Sequence, residues 1–253
     1  MSDSTGHQPL FMIQICLDLR RLVELARALH LPIQSTDTSY ITHCALHELF
    51  GKQAPGPFAV EGTSGKHLRV LGYASSPASK LQESAQAFAS PMVYQIPDWT
   101  RFRVKPMPDV FPEGSHLGFT IRVCPVVRKA SAGPKWSAGA EVDAFLSKVW
   151  AVDDSTVAID RESVYREWLQ ELLTRSGAAI AQNVRLERFS LESVVRRNHL
   201  DQRQVKTIKR PAATLTGALD VLNGDQFMKV LRNGLGRHRA FGFGMLKLRR
   251  SEY

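Results

Sequence analysis

The order of strand-like and helix-like segments, which occurs twice along the chain, constrains the fold most strongly. The first copy reads strand, helix, strand, strand, helix, strand over residues 10–19, 20–30, 58–61, 68–74, 79–88 and 101–105. A further helix follows the first one, with Ser35, Thr36 and Asp37 as candidate caps and Gly51 at its end. The second copy repeats the order over residues 118–127, 163–175, 184–195, 212–222, 225–232 and 243–248. The sequence therefore predicts an α+β fold of two tandem ferredoxin-like (βαββαβ) domains.

A proline-rich stretch, residues 106–112, is typical of a linker between the two copies. We therefore expect an N-terminal domain over residues 1–112 and a C-terminal domain over residues 113–253. At about residues 130–160 the chain exceeds the minimal count of elements, which predicts an insertion. Apolar residues at helical spacing predict a short helix within it, and they are Val142, Phe145, Leu146, Val149 and Trp150.

The net charge of +9 is distributed unevenly. Residues 181–210 hold eight basic and three acidic side chains, and residues 228–250 hold seven basic and no acidic ones. A near-neutral body with a basic C-terminal half is typical of a protein that binds a polyanion, although a merely solvated basic face remains an alternative. The first segment contains Arg185, Arg188, Arg196, Arg197, Arg203, Lys206, Lys209 and Arg210.

Several classes of protein are excluded by the same sequence. The three cysteines, Cys16, Cys44 and Cys124, are odd in number and form no C-x-x-C pair, which argues against a disulfide framework or a zinc knuckle. Apolar runs are far shorter than the roughly 20 residues that cross a bilayer, and the polar opening does not resemble a signal peptide. We therefore expect a soluble, cytoplasmic protein without a membrane partner.

The densest motif is G-L-G-R-H-R-A-F-G-F-G over residues 234–244, between a predicted helix and the last predicted strand. Its glycines, Gly234, Gly236, Gly242 and Gly244, allow positive φ and close backbone approach, so that N–H groups could face a phosphate. Arg237, His238 and Arg239 would lie at the tip. The order of elements excludes a dinucleotide fingerprint, and the Gly-Lys-Ser/Thr ending of a phosphate-binding P-loop is absent. A flexible hairpin-like turn is the alternative interpretation.

Four stretches together resemble a known family. They are G-A-L-D-V at residues 217–221 followed by the glycine motif, F-T-I-R-V-C-P-V-V-R at residues 119–128, R-E-W-L at residues 166–169, and Y-I-T-H at residues 40–43. In this order they resemble the CRISPR repeat-processing endoribonucleases of the CasE (Cse) type, found with Cascade and belonging to the RAMP superfamily of antiviral defence proteins. The resemblance implies a duplicated ferredoxin-like fold that agrees with the pattern above.

The resemblance also implies a function and a site. The protein would recognise the stem-loop of a CRISPR repeat in precursor crRNA, cleave it without a metal or other cofactor to leave a 2′,3′-cyclic phosphate, and stay on the 3′ hairpin beside other effector-complex subunits. His43 would transfer a proton, and Tyr40, one helical turn earlier, would orient the 2′-hydroxyl or donate to a phosphate oxygen. The implied RNA-binding residues are Arg128, Arg185, Arg188, Arg196, Arg197, Arg203, Lys206, Arg210, Gly234, Gly236, Arg237, His238, Arg239, Gly242 and Gly244.

The sequence departs from the family pattern at three places. Val123 and Cys124 replace an Ala-Asn pair, Glu48 stands where relatives have a lysine, and the insertion before Tyr165 is longer. A type IV CRISPR counterpart on the same fold is therefore an alternative to type I-E. A non-catalytic RNA-binding subunit is the alternative function, and a DNA-binding ferredoxin-like module is a more distant one.

Two further expectations concern neighbouring residues. His43 and His47 lie four apart, but the pattern lacks the glutamate of H-E-x-x-H and an obvious third ligand, so His47 is predicted to be a core residue or a neighbour that supports His43. The insertion is acidic, which would repel RNA, so we expect it to face away from the RNA. Its carboxylates are Glu141, Asp143, Asp153, Asp154 and Asp160.

Overall fold

The structure is a computed structural model that describes residues 8–31, 38–152, 158–197 and 205–250, without the side chains of residues 195–197 and 205–206. Its first half forms an antiparallel sheet in the order β2-β3-β1-β4. The elements are β1 (Phe11–Asp18), α1 (Leu19–Ala28), α2 (Thr38–Phe50), β2 (Phe58–Ser64), β3 (His67–Ala74), α3 (Ala78–Phe88), α4 (Pro91–Tyr94) and β4 (Arg103–Pro106). The candidate caps Ser35, Thr36 and Asp37 lie outside the described residues.

The second half forms an antiparallel sheet in the order β10-β5-β9-β8. Its elements are β5 (His116–Val123), β6 (Val126–Arg128), β7 (Glu141–Asp143), α5 (Ala144–Val149), α6 (Arg161–Ser176), β8 (Ala179–Arg197), β9 (Val205–Val221), α7 (Gly224–Asn233) and β10 (Leu246–Arg250). In each sheet the strands of one βαββαβ unit lie in the order fourth, first, third, second. The structure therefore confirms two ferredoxin-like units in tandem.

Alternating burial explains why these segments pair as sheets. Ile13, Ile15 and Leu17 of β1 are buried against the helices of the first half, and Phe119, Ile121 and Val123 of β5 are buried in the second. The turn from β1 into α1 is fixed by Asp18, whose carboxylate accepts hydrogen bonds from the backbone N–H groups of Arg20 and Arg21.

The β8–β9 hairpin extends well beyond the segments that the sequence predicted. The pairing continues from Ala179 opposite Val221 to Arg197 opposite Val205 and includes two irregularities of register in β8. The distal part of the hairpin is rich in polar and basic residues and packs little on the core. Alternating hydrophobicity is therefore weak there, so the sequence pattern missed the distal part of β9.

The residues between β5 and α6 form a β-hairpin, β6–β7, and the short helix α5 that the spacing predicted. Asp143 ends β7 and caps α5 by accepting from the Phe145 N–H at 2.8 Å. The same buried carboxylate accepts from the Tyr165 hydroxyl at 3.0 Å and from Arg161 Nη1 at 3.1 Å. These contacts join the hairpin to α6, so the segment packs firmly on the second half.

The two halves share a buried contact region. The Tyr73 hydroxyl on β3 donates to the Leu246 carbonyl on β10 at 2.8 Å, and Tyr73 is 1% exposed. Lys247 Nζ on β10 donates to Glu61 Oε1 on β2 at 2.6 Å. Because the core of the second half also includes Leu10 and Ala59 of the first half, the division at residues 112 and 113 stays a prediction. None of the helices in the described ranges is long and apolar enough to cross a membrane.

The glycine segment between α7 and β10 is packed rather than free. All four of its glycines have positive φ, as the motif predicted. The Leu235 N–H donates to the Gly244 carbonyl at 2.9 Å, and the Gly244 N–H donates to the Arg122 carbonyl at 2.7 Å. A Cβ on Gly244 would overlap the Leu235 carbonyl oxygen, so the closure of this loop depends on glycine.

We predict that Gly244→Ala destabilises the protein more than Gly65→Ala does. Gly65 also has positive φ, +59°, but a Cβ there would meet no atom within 4 Å. Gly65→Ala should therefore lower the free energy of unfolding by about 1–2 kcal/mol from backbone strain alone. Gly244→Ala adds a steric overlap with backbone, for a total of about 2–5 kcal/mol. Urea unfolding of both variants tests this, and equal losses would contradict it.

Candidate active site and nucleic-acid interface

Helix α2 presents Tyr40 and His43 on one face, where the sequence spacing predicted them together. Their ring centroids lie 6.1 Å apart with the planes at 29°. The opposite face of α2 is anchored in the first core by Ile41, Ala45 and Leu49, all at most 6% exposed. Burial of that face fixes the rotation of the helix, so Tyr40 and His43 lie at the edge of the core and remain half-buried.

The glycine segment of the second half lies directly against this face of α2. Phe241 stacks on Tyr40 with ring centroids 5.2 Å apart and an interplanar angle of 22°. A Cβ on Gly242 would lie 3.4 Å from both Ser39 Cβ and the Phe58 ring. The two candidate motifs, far apart in the sequence, therefore meet at the junction of the two halves.

The surroundings of His43 keep its ring neutral. Burial is the largest cause, and the neighbouring His47 is the second; together they lower the pKa of His43 to about 4. Phe58 lies on the other side, with ring centroids 6.4 Å apart. At neutral pH a ring of this kind can accept a proton, which is the property of a general base.

His47 is exposed, so the expectation of a core residue is wrong. Its ring meets the edge of the His43 ring at a centroid distance of 4.3 Å, which agrees with the expectation of a neighbour that supports His43. Among the described residues, no three His, Cys, Asp or Glu side chains come close enough together to hold a metal ion.

A basic pocket of about 850 Å³ opens next to the ring pair. Phe241 forms part of its wall, so the pocket begins where the stack with Tyr40 ends. Its basic lining comes from four residues predicted to bind RNA, which are Arg128, Arg210, Arg237 and His238. These residues come from β6, β9 and the glycine segment, and only the tertiary structure brings them together.

The insertion contributes an acidic residue to this same pocket. Glu141 of β7 contacts Arg237 Nε at 2.6 Å, His238 Nε2 at 2.8 Å and Arg210 Nη2 at 3.0 Å. Burial alone would raise the pKa of Glu141, but His238, Arg210 and Arg237 outweigh it and hold this pKa below its ordinary value. The insertion is expected to face away from the RNA, yet Glu141 lies among the residues predicted to bind RNA, because the β6–β7 hairpin folds back over the glycine segment.

The other basic residues predicted to bind RNA lie on β8, lie beside the end of α7, or fall outside the described residues. Arg185 and Arg188 are exposed on β8, opposite Thr216 and Thr214, on the sheet face that also bears Arg122. Arg239 turns back and donates to the Asn233 carbonyl at the end of α7, away from Glu141. Arg203 and the side chains of Arg196, Arg197 and Lys206 lie outside the description.

The four glycines support the backbone closely rather than leaving a free phosphate cradle. A Cβ on Gly234 would lie 2.8 Å from the Gly244 carbonyl oxygen and 3.0 Å from Pro57 Cβ. A Cβ on Gly236 would lie 3.2 Å from the Trp168 ring. These contacts hold the segment closely between the two halves. They argue against the alternative interpretation of the motif as a flexible turn.

Two residues of the site were missed by the sequence reasoning. Phe241 lies inside the glycine motif, and an aromatic residue flanked by the glycines of that motif was the available signal. Glu141 gave no local signal, because its partners Arg210 and Arg237 are 69 or more residues away in the chain.

Comparison with protein families matches residues 10–250 to a family described as CRISPR associated protein. The chain belongs to this family. No curated protein matched this CRISPR-associated protein. Among solved structures it resembles Thermus thermophilus Cse3 bound to an RNA representing a pre-cleavage complex, at 16% identity and a TM-score of 0.59, over 95% of this chain and 99% of that one.

Two further structures share the fold of this CRISPR-associated protein. Cas6e from Escherichia coli str. K-12 matches at 16% identity and a TM-score of 0.53, over 95% of this chain and 100% of that one. A chain of a CRISPR RNA-guided surveillance complex matches at 16% identity and a TM-score of 0.56, over 94% of this chain and 98% of that one. At these identities the similarity establishes the fold.

We predict that NMR titration of the RNA-free protein gives a pKa of about 4 for His43. His47→Asn should raise this pKa, because it removes a ring that can carry positive charge, but should leave it below 6.5 because burial persists. His30→Asn, at an exposed position after α1, is the control and should leave the pKa unchanged. A His43 pKa of 6.5 in the free protein would contradict the geometry.

The same shift predicts how stability depends on pH. A histidine whose pKa falls on folding binds fewer protons in the folded state, so its contribution lowers the free energy of unfolding as pH falls from about 6.5 towards 4. His43→Ala should remove this part of the pH dependence, as measured by urea unfolding at pH 7 and pH 4.5. An identical pH dependence in His43→Ala and the wild type would show that the ring is not held neutral.

Proposed function

We propose that this protein is an endoribonuclease that cleaves CRISPR repeat stem-loops in precursor crRNA and remains on the product hairpin as an effector-complex subunit. The stack of Phe241 on Tyr40 carries this proposal. It joins the Tyr40–His43 pair of the first half to the arginine-lined pocket of the second, so that a group able to move protons lies beside groups able to hold phosphate. The proposed substrate is an RNA transcript, and the proposed compartment is the cytoplasm.

The proposed reaction needs no metal. His43, neutral at pH 7, accepts the proton of the ribose 2′-hydroxyl, and the 2′-oxygen attacks the adjacent phosphorus. The bond from phosphorus to the 5′-oxygen breaks, the leaving oxygen takes up a proton, and the products are a 2′,3′-cyclic phosphate and a 5′-hydroxyl. Tyr40, half-buried beside His43, orients the 2′-hydroxyl or donates to a non-bridging phosphate oxygen.

The RNA stem is proposed to lie on the basic surface of the second half. Arg128 and Arg237 line the pocket beside the ring pair, and Arg185 and Arg188 extend the positive charge along β8. Arginine suits this role because its fork of N–H donors matches phosphate oxygens. Cse3 bound to RNA and the RNA-guided surveillance complex, which share this fold, support RNA as the ligand and retention in a complex as the outcome.

A non-catalytic RNA-binding subunit is the second candidate. Glu48 favours it, since this exposed residue on α2 occupies the position where relatives have a lysine. A carboxylate there would not stabilise the negative charge that builds up on the phosphorane. Cleavage of repeat RNA by the purified protein in EDTA separates the two candidates, because only an enzyme would produce the shortened RNA with a cyclic phosphate end.

We predict that His43→Ala slows cleavage of repeat RNA by about 10²- to 10⁴-fold while the affinity for RNA changes by only a few-fold, since a proton-transfer group acts in the transition state. Tyr40→Phe should slow cleavage less, because it keeps the ring that stacks on Phe241. Single-turnover cleavage in EDTA and binding of uncleavable RNA measure the two quantities. His30→Asn is the matched control, and wild-type cleavage by His43→Ala would refute the assignment.

We also predict that Arg237→Ala weakens RNA binding and reduces its salt dependence. One lost phosphate contact should make the slope of log K against log salt about 0.7–0.9 less steep. Arg175→Ala removes an exposed arginine from α6, where it pairs with Glu171, and serves as the control with equal loss of charge. Equal slopes for Arg237→Ala and Arg175→Ala would mean that Arg237 does not contact the RNA backbone.

A further inference from the structure

Glu141 is surrounded by basic groups in the middle of the predicted RNA-binding surface. One carboxylate oxygen contacts Arg237 Nε at 2.6 Å, and the other contacts both His238 Nε2 at 2.8 Å and Arg210 Nη2 at 3.0 Å. The side chains of Glu141 and Arg210 are only 15% and 16% exposed. The two oxygens thus contact two guanidinium groups and one imidazole ring in a partly desolvated place.

This arrangement resembles an anion-binding site that is occupied by a carboxylate of the protein itself. A carboxylate and a phosphodiester each carry one negative charge shared between two oxygens, and arginine binds both through the same donors. Arg128 lines the same 850 Å³ pocket. Its Cα lies directly opposite the Cα of Glu141 in the β6–β7 pairing. The pocket therefore has room and charge for a larger anion than the one that Glu141 supplies.

The position of Glu141 argues against a purely structural ion pair. Arg237 is 49% exposed and reaches Glu141 from the pocket side. The β6–β7 hairpin is held to α6 through Asp143 rather than through Glu141, since Asp143 contacts Tyr165 and Arg161. The insertion is thus anchored to α6 by Asp143, two residues further on. The Glu141 side chain is not needed for this anchoring.

We propose that Glu141 occupies, in the RNA-free protein, the site in which Arg210, Arg237 and His238 bind a phosphate of the RNA, so that RNA must displace the Glu141 carboxylate. This inference rests on the proposed function and deepens it. An RNA ligand enters the site only if its phosphate outcompetes the Glu141 carboxylate. Glu141 therefore lowers, by the same factor, the affinity for every RNA that places a phosphate in this site.

Glu141→Gln tests this proposal through RNA binding. The ligands are a repeat RNA with a 2′-deoxy nucleotide at the cleavage site, which cannot be cleaved, and an unrelated single-stranded RNA of equal length. Glu141→Gln should bind both about tenfold more tightly, because a charged competitor for the site is gone. The slope of log K against log salt should become steeper by about 0.7–0.9.

The control is Glu171→Gln, which changes the net charge equally on the exposed surface of α6. It should change the two affinities far less than Glu141→Gln does and should leave the slope unchanged. Glu141→Asp, whose shorter side chain keeps the charge but reaches less far, should give an intermediate gain. In Arg237→Ala the gain from Glu141→Gln should shrink, because a main donor of the contested site is missing.

Two results would overturn the inference. Weaker RNA binding by Glu141→Gln, with an unchanged melting temperature, would mean that Glu141 arranges the arginines for RNA instead of competing with it. Unchanged affinity and slope would mean that RNA does not use this site. Both are measured by binding alone, whereas the proposed function fails if the wild type does not cleave repeat RNA, so the two failures are distinguishable.

Discussion

The close backbone approach at the two ends of the glycine segment is the constraint on which the rest of the site depends. Gly244 accepts a hydrogen bond from Leu235 at a place where a Cβ would overlap the Leu235 carbonyl. This closure holds the segment between the end of α7 and the start of β10. Phe241 is thereby carried onto Tyr40, and His238 is carried towards Glu141. A looser connection would separate the rings of α2 from the arginines of the pocket.

The two halves share a topology but contribute different chemistry. The first half presents aromatic and imidazole rings on α2, in surroundings that keep the pKa of His43 low. The second half presents the cations, on its open sheet face and around the glycine segment. The Tyr73–Leu246 hydrogen bond and the Lys247–Glu61 ion pair hold these two surfaces together. The Tyr40–His43 pair of the first half thus meets the arginine-lined pocket of the second where the two halves join.

Several arginines of the second half are paired with carboxylates, so fewer of its cations are open to a ligand than the composition indicates. Arg122 pairs with Glu192 and lies over the Phe243 ring, and Arg210 and Arg237 share Glu141. Pairing neutralises these cations locally and also fixes their geometry. Arg185 and Arg188 are exposed, by contrast. The protein therefore presents an open basic strand leading to a pocket whose arginines are already engaged, and the two regions are expected to differ in how readily they accept RNA.

The sequence alone determined the fold class, the order along the chain of the strands in the two four-stranded sheets, and the placing of Tyr40 and His43 on one helical face, because these depend on short-range periodicity. It read residues 118–127 as one strand and so missed the β6–β7 hairpin. Alternating burial defines a strand, and a spacing of three places two side chains on one helical face. It also located the glycine segment, whose four glycines adopt positive φ, a conformation that glycine takes without steric cost. The resemblance to a family supplied the function that these patterns could not.

Only the tertiary structure decided which of these parts meet. Phe241 reaches Tyr40 across some 200 residues of chain, and Glu141 reaches the glycine segment from an insertion that was expected to face elsewhere. Like-charge repulsion of RNA was a sound argument about an isolated acidic segment. It did not anticipate the position of Glu141, because the β6–β7 hairpin brings that carboxylate to Arg210 and Arg237, whose attraction over 3 Å outweighs the average charge of the segment around it.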